Sequence, residues 1–500
     1  MRSIRADDHL TGEPSPAHRV VRLLPAASSP REGRAGDLTE DPAGERRRPG
    51  AEGATPPYDD APGAGGPHAD APYTDAPHAG AGGRRAVDDD VAGAVGRLLG
   101  TLTAERVAQA AGLDPAFGED LAGRVARFTL GGGRRIRPRF LWWALRGCGA
   151  GDGAEVEAAL RLGAALELVQ TCALVHDDVM DGARVRRGRP ALHVDVATDL
   201  LAADPVPIGR PGTGRVSAER RERAHDFGTA VAILAGDLAL AWADDLVADT
   251  TLPPAVAGRV RGIWRAMRTE MVAGQYLELR GQADVSRSPD RAIRAACLKS
   301  ALYSVERPLA LGAALAGADE ATTRALCSAG RCVGMAFQLR DDLDDLFADP
   351  DRTGKPLGGD IREGKPTYLV AVAHARAEAA GDHHALDVLD TCVGRADLSG
   401  ADLARVRKAM VATGAKDAVE AKIDQLTAQG LRHLDSAALE PYAAGRLREL
   451  MCVVTRTRSE TGTAAGTGPA RADGNGSARA DGAGPARALR LADGCGVTGR

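Results

Sequence analysis

Cysteine, lysine and aromatic side chains are all scarce in this 500-residue chain. The eight cysteines stand singly at 148, 172, 297, 327, 332, 392, 452 and 495, without a CxxC pair. That pattern argues against a zinc site or a disulfide frame and fits reduced thiols. The start "MRSIRADDHLTGEPS" lacks an apolar core of the length a secretory leader needs, so export is not expected and a cytoplasmic location is. The longest apolar stretch, "FGTAVAILAGDLALAWADDL" from Phe227, is broken by Asp237 and ends in two more acids. It reads as a buried helix, and no transmembrane segment is expected. With a net charge of -4 and basic residues dispersed along the chain, there is no footprint for a nucleic-acid partner.

What is present is unevenly distributed. Residues 1–88 are crowded with Pro, Gly, Ala, Asp and Arg and have no apolar runs able to offset chain entropy, so they are expected to be disordered. Residues 459–500 have the same character. Between them, 89–458 form one segment long enough to bury a large core. It is rich in Ala, Leu, Arg and Glu, with apolar positions at helical spacing and few strand or hairpin signals. An all-α domain is predicted, its helices separated by Gly and Pro clusters such as "GGGRRIRP" and "DPDRTGKPLGG". The stretch 195–226 reads as a long polar loop, or a loop with one short exposed helix.

The chemistry concentrates where apolar helices end in acids. From Ala158 to Val175 the chain is almost wholly apolar, and then "HDDVMD" supplies Asp177, Asp178 and Asp181. Asp177 and Asp181 lie about one turn apart and share a face, with Asp178 beside them. Burying such carboxylates without compensation would cost several kcal/mol each, so a positive partner is required unless this is a solvated helix end. A second copy, "QLRDDLDDLF", carries Asp341, Asp342 and Asp345 at the same spacing, again after an apolar run. Two such ends facing each other would form an oxygen cage suited to Mg²⁺, which keeps waters and shares carboxylates with substrate phosphates. No EF-hand loop is present to suggest a Ca²⁺ cage. Phosphates would need cations nearby. Of 64 basic residues only six are lysine, and three of those, Lys299, Lys355 and Lys365, stand in motif-like settings, "CLKSALYS", "RTGKPLGG" and "REGKPTYL". Arginine clusters at 131–138 and 184–190 add fork-shaped donors beside glycine-rich backbone.

Taken in order, "GGRRIRP", "LVHDDVMDGARVRRGRP", "LKSALYS", "FQLRDDLDD" and "GKPLGGDIREGKPT" resemble the trans-polyprenyl diphosphate synthases, most of all geranylgeranyl diphosphate synthases and their short-chain relatives. The resemblance covers about 115–458. It implies the isoprenoid synthase class I fold, a bundle of long helices around a central cavity, usually a homodimer. It also implies head-to-tail transfer between an allylic diphosphate and isopentenyl diphosphate, with about three Mg²⁺ ions once substrate is bound. By that resemblance Asp177, Asp178, Asp181, Asp341, Asp342 and Asp345 hold the metals. Arg186, Lys299, Lys355 and Lys365 neutralise the allylic diphosphate, Arg134, Arg137 and Arg187 bind isopentenyl diphosphate, and Ser300 and Gln338 face the developing carbocation. The departed diphosphate is thought to take the last proton in this family, so no side-chain base is sought.

Three positions depart from the usual pattern. Arg134 stands for the common lysine, Gln170 for a histidine that touches isopentenyl diphosphate, and Ser300 for threonine; none removes a required charge. His176 reads as a packed or supporting residue and Asp237 as a structural hydrogen-bonder, while Gln275 either bonds the first aspartate set or satisfies a buried contact. One helical turn rises about 5.4 Å, roughly one isoprene unit, so the residues below Asp177 mark depth. Cys172 and Ala173 are small, leaving Val169, Leu166 or a neighbouring helix as the floor. A twenty-carbon product is expected, with farnesyl and longer products as alternatives. A class I terpene cyclase and a silent partner subunit fit less well, because both aspartate sets and the lysine motifs are whole.

Overall fold

The computed structural model describes residues 81–203, 217–349 and 357–456. It is a helical bundle, as the periodicity predicts. The first helices are α1 (Ala81–Asp89), α2 (Val91–Leu113), α3 (Gly123–Leu130), which follows a π-helical turn Phe117–Ala122, and α4 (Ile136–Gly147). The apolar run ending in "HDDVM" forms α5 (Glu155–Met180), followed by a minimal hairpin of β1 (Val185–Arg186) against β2 (Arg189–Pro190). Then come α6 (Leu192–Ala203), α7 (Ala218–Ala248), α8 (Pro254–Ala283) and α9 (Pro289–Ala296). α9 runs through a π-helical segment, Cys297–Glu306, into α10 (Arg307–Leu315). α11 (Glu320–Phe347) carries the second acidic motif, and α12 (Gly359–Glu363) to α17 (Pro441–Thr455) close the chain. Within that last group α13 is Tyr368–Ala380, α14 His383–Cys392, α15 Gly400–Ala412 and α16 Ala415–Asp435.

Local chemistry explains many of the ends. Asp90, Ser217, Asp319 and Thr367 each accept from a backbone N–H of the first turn they precede, and Ser399 with Asp402 closes a reciprocal capping box. Proline opens α8, α9 and α17, where a missing N–H costs nothing.

Two apolar cores are joined by α11. The larger one packs Phe140, Trp142 and Trp143 of α4 with Leu162, Leu166 and Val169 of α5 and Leu326 and Val333 of α11. The smaller one packs Leu339 and Leu343 of α11 with Leu369, Leu389, Val406 and Ile423. One helix therefore spans both cores, and its acidic end lies along the smaller one. α5 is buried over most of its length; although long and apolar enough to cross a membrane, 72% of its most apolar window lies inside the bundle.

One expectation is corrected. Residues 195–226 are not one long loop: 192–203 form α6, with Leu192, His193 and Val196 buried, and α7 begins at Ala218. Ser217 caps α7 by accepting from the Arg220 amide at 3.2 Å. Residues 204–216 between them lie outside the described residues, as do 1–80 and 457–500. The N-terminal segment expected to be disordered as far as residue 88 is helical from Ala81, and its Val87 packs into the larger core.

Candidate active site

The apolar face of α5 ends at Asp177 and Asp178, and Asp181 caps the helix through its amide, which donates to the Asp177 carbonyl at 2.9 Å. Asp178 is completely buried. The β1 strand folds back over it, so that Arg186 Nε donates to Asp178 Oδ1 at 2.7 Å and a second guanidinium N–H reaches the same oxygen. Asp177 Oδ1 accepts from Lys299 Nζ at 2.8 Å, and the same ammonium donates to Glu278 Oε1 of α8 at 2.6 Å. Asp181 Oδ2 pairs with Lys365 Nζ at 2.8 Å.

The second acidic end reaches this group through Lys365. Its ammonium lies 2.8 Å from Glu363 Oε2 and 3.5 Å from Asp360 Oδ1. The Asp360 amide in turn donates to Asp345 Oδ2 at 3.1 Å, and the Gly358 amide to the Asp345 carbonyl at 2.8 Å. On the same helix Gln338 Nε2 donates to Asp342 Oδ1 at 2.8 Å, one turn away. Asp342 is buried in the field of Asp360, Asp341 and Glu278. The two acidic ends thus share one electrostatic site.

Burial dominates the proton chemistry here. It pushes Asp178, Asp181 and Glu278 above the usual carboxylate range despite their basic partners. It lifts Asp342 well above that range, with Asp360 adding to the effect. Asp177 is the exception: burial raises it, but Lys299, Lys365 and Arg186 together outweigh burial and hold it low. Lys299 and Lys365 keep their protons, since the acids around them overcome desolvation. Such a site has more negative charge than its cations satisfy. Asp178 Oδ2 and Asp181 Oδ1 are buried without a hydrogen-bond partner. One carboxylate oxygen each of Asp177, Asp181 and Glu278 lie within 4.8 Å of one another. Hard oxygen donors with unsatisfied lone pairs fit Mg²⁺, which takes a few carboxylates and completes its shell with water or phosphate.

A second group lies two turns back along α5, about 10 Å by helical rise. Tyr303 Oη donates to Gln170 Oε1 at 3.0 Å, and Arg137 stacks 4.2 Å over the Tyr303 ring while its Nη2 donates to Ser304 Oγ at 2.8 Å. Arg187 leans over Phe128 at 5.8 Å. Beneath them Glu167 is buried, with Oε1 unpartnered and with Arg137, Arg135 and Arg187 as its neighbouring charges. Burial raises the Glu167 carboxyl, and those three guanidiniums oppose the rise. Arg134 lies in the glycine-rich turn before α4; Gly132 and Gly133 there have φ of 112° and 124°, which only glycine adopts freely.

The predicted residues therefore separate into an acid–lysine group at the end of α5 and an arginine group about two turns back along it, each assembled from several elements. Ser300 is half-buried in the π segment. Lys355 lies outside the described residues. His176 is packed: its Nε2 sits 3.1 Å from the Ile233 carbonyl, and a methyl at Gly236 would meet it at 2.1 Å. Asp237, expected to be a structural hydrogen-bonder, is exposed and stands 3.6 Å from the same ring nitrogen. Gln275 donates to the Met180 sulfur at 3.5 Å. Glu278, Asp360, Glu363 and Glu167 went unnoticed in the sequence, because an isolated acid on a helix gives no signal of its own.

Comparison with known proteins bears on this geometry. The family profile described as Polyprenyl synthetase matches residues 119–410. Among curated proteins, a geranylgeranyl diphosphate synthase of Mycobacterium tuberculosis is 34% identical over 259 residues, 51% of this chain and 62% of its own length. A farnesyl diphosphate synthase of Geobacillus stearothermophilus is 31% identical over 286 residues, 55% of this chain and 82% of its own. The crystal structure of a geranylgeranyl pyrophosphate synthase from Corynebacterium glutamicum, complexed with isoprenyl diphosphate and magnesium, is similar with a TM-score of 0.65 at 35% identity. It covers 72% of this chain and 98% of that one.

Proposed function

The chain belongs to the polyprenyl synthetase family of prenyltransferases, and from that premise we propose that it condenses isopentenyl diphosphate head-to-tail with an allylic diphosphate to give geranylgeranyl diphosphate. The observation that carries this reading is Lys365, which pairs with Asp181 of one acidic end and lies beside Asp360, whose amide holds Asp345 of the other.

Asp177, Asp178, Asp181, Asp341, Asp342 and Asp345 are the proposed metal-holding residues, with Glu278 added from the geometry. Bound Mg²⁺ would supply positive charge where the leaving diphosphate gains negative charge. Lys299, Lys365 and Arg186 are proposed to meet that same group, with Lys355 expected to join them. They act where charge develops, so they favour the transition state over the bound substrate. Arg134, Arg137 and Arg187, with Gln170, form the proposed isopentenyl diphosphate site. Gln338 and Ser300 face the reacting carbons in this reading. The buried apolar wall of α5 excludes water from a cationic intermediate.

For chain length, Cys172 and Ala173 lie about one turn below Asp177, and Val169 and Leu166 beneath them are fully buried. That arrangement supports growth to twenty carbons. The relatives include farnesyl and geranylgeranyl synthases, so the product needs its own assay. We further propose a homodimer, supported by the exposed apolar side chains Phe227, Ile233 and Leu234 along α7. A cytoplasmic location is part of the same reading, supported by the free cysteines of the described residues.

The test is incubation with isopentenyl diphosphate, Mg²⁺ and each allylic primer in turn, followed by mass analysis of the dephosphorylated products. A twenty-carbon alcohol is expected. Hydrocarbon formed from a long diphosphate alone would indicate a cyclase, and no product at all would indicate a silent subunit.

A further inference from the structure

Gly274, Glu278 and Gly281 lie four and then three positions apart on α8, so they stand in line along one face. Both glycines are buried. A methyl group at Gly274 would lie 2.1 Å from the backbone nitrogen of Lys299 and 2.6 Å from its Cα. One turn on, Glu278 accepts from the ammonium of that same lysine at 2.6 Å. Another turn on, a methyl at Gly281 would lie 2.8 Å from Cγ of Pro366, the residue after Lys365. Glu278 also lies in the field of Lys365. The helix thus touches Lys299 at both ends and Lys365 at its shoulder. From the opposite side, a methyl at Gly334 of α11 would stand 2.4 Å from the Ala301 carbonyl, so the π segment carrying Lys299 has no room to retreat.

We propose that the Gly274–Glu278–Gly281 face of α8 is a positioning face, which sets where Lys299 and Lys365 meet a substrate diphosphate. The physical need is clear. A lysine is a point charge on a flexible four-carbon stem, so its head is placed well only if its backbone is fixed and its ammonium has a second hold. Bare Cα atoms let two backbones approach more closely than any side chain permits. A misplacement of about 1 Å at such a group costs on the order of 10²-fold in rate. The inference rests on the reading that these lysines bind diphosphate.

The experiment uses the full chain and inorganic pyrophosphate with MgCl₂ as the probe, titrated by calorimetry, alongside the Michaelis constant for isopentenyl diphosphate. Gly274→Ala is expected to weaken pyrophosphate binding about tenfold and to leave the isopentenyl diphosphate constant within about twofold. In a Lys299→Met background the same substitution is expected to change pyrophosphate binding less than about twofold, since its effect runs through that lysine. Gly281→Ala should cause a smaller loss, because a ring atom can move aside more readily than backbone. An equal loss in both backgrounds, or no loss in either, overturns the proposal. Should Gly274→Ala not fold, the same cycle is run with Gly281→Ala and Lys365→Met; failure of both glycine variants to fold also overturns it, since the glycines would then serve the bundle. Wild-type protein that binds pyrophosphate but forms no prenyl product would remove the proposed function and leave the positioning face standing.

Discussion

Asp178 and Arg186 form a one-sided pair: Arg186 Nε donates at 2.7 Å to Oδ1 of a fully buried carboxylate whose Oδ2 has no partner. Removing one member of a buried pair strands the other, at a cost of about 3–5 kcal/mol. Arg186→Met is therefore expected to lower unfolding stability by that order. Asp178→Asn should cost less, because the neutral amide can remain buried. Urea denaturation of both variants checks the order; equal stability would show that the pair does not hold the hairpin on α5.

Metal should stabilise the chain in a pH-dependent way. Asp178, Asp181, Glu278 and Asp342 all have raised carboxyls in the folded state, chiefly from burial. A raised carboxyl binds more protons folded than unfolded, so its ionisation penalises folding as pH climbs above the ordinary carboxylate range. Asp177, held low by its cations, works the other way and loses its contribution as pH falls. The raised groups are the majority. Added MgCl₂ relieves their repulsion only where they are ionised, so its stabilisation is expected to be larger at pH 8 than at pH 5. Thermal melts with and without MgCl₂ measure this directly, and a shift independent of pH would count against carboxylate ligation.

Product length offers a third test. Ala173 lies one turn below Asp177 on α5, and a phenyl ring there is expected to block the growing chain. Ala173→Phe should move the main product from twenty carbons to fifteen or fewer. An unchanged distribution by mass analysis would remove α5 as the ruler.

The exposed stripe on α7 predicts assembly. Phe227, Ile233 and Leu234 are 44%, 44% and 55% exposed. Leu234→Glu is expected to convert a dimer to a monomer in light scattering after size exclusion, while leaving the helical signal unchanged. A wild-type monomer across the micromolar range would end that reading.

Much of this site was legible in the sequence because its strongest parts repeat. Two apolar helices ending in matched aspartates, and three of only six lysines falling in motif-like settings, are coincidences that random placement rarely produces. What escaped was chemistry carried by single residues. Glu278 shares an ammonium with Asp177, yet in "GQYLELRG" it looks like any helix acid. Asp360 and Glu363 sit beside the lysine motif, but only the fold joins them through Lys365 to Asp181. The misread stretch at 195–226 has a different cause. The prolines and glycines of "DPVPIGRPGTG" mark a break, but Ser217 followed by "AERRER" is a helix start. Strand content was read well, since β1 and β2 have two residues each.

The π-helical stretch Cys297–Glu306 behaves as though a residue had been slipped into an otherwise continuous rod running from Pro289 to Leu315. Excising one residue there would relax the rod to ordinary winding. Winding the same residues as an uninterrupted α-helix without that excision would instead swing everything on one side by roughly 100° relative to the other. Anyone grafting or computationally rebuilding this helix as a straight cylinder would aim either Lys299 or the α10 core into the wrong quadrant, with the composition untouched.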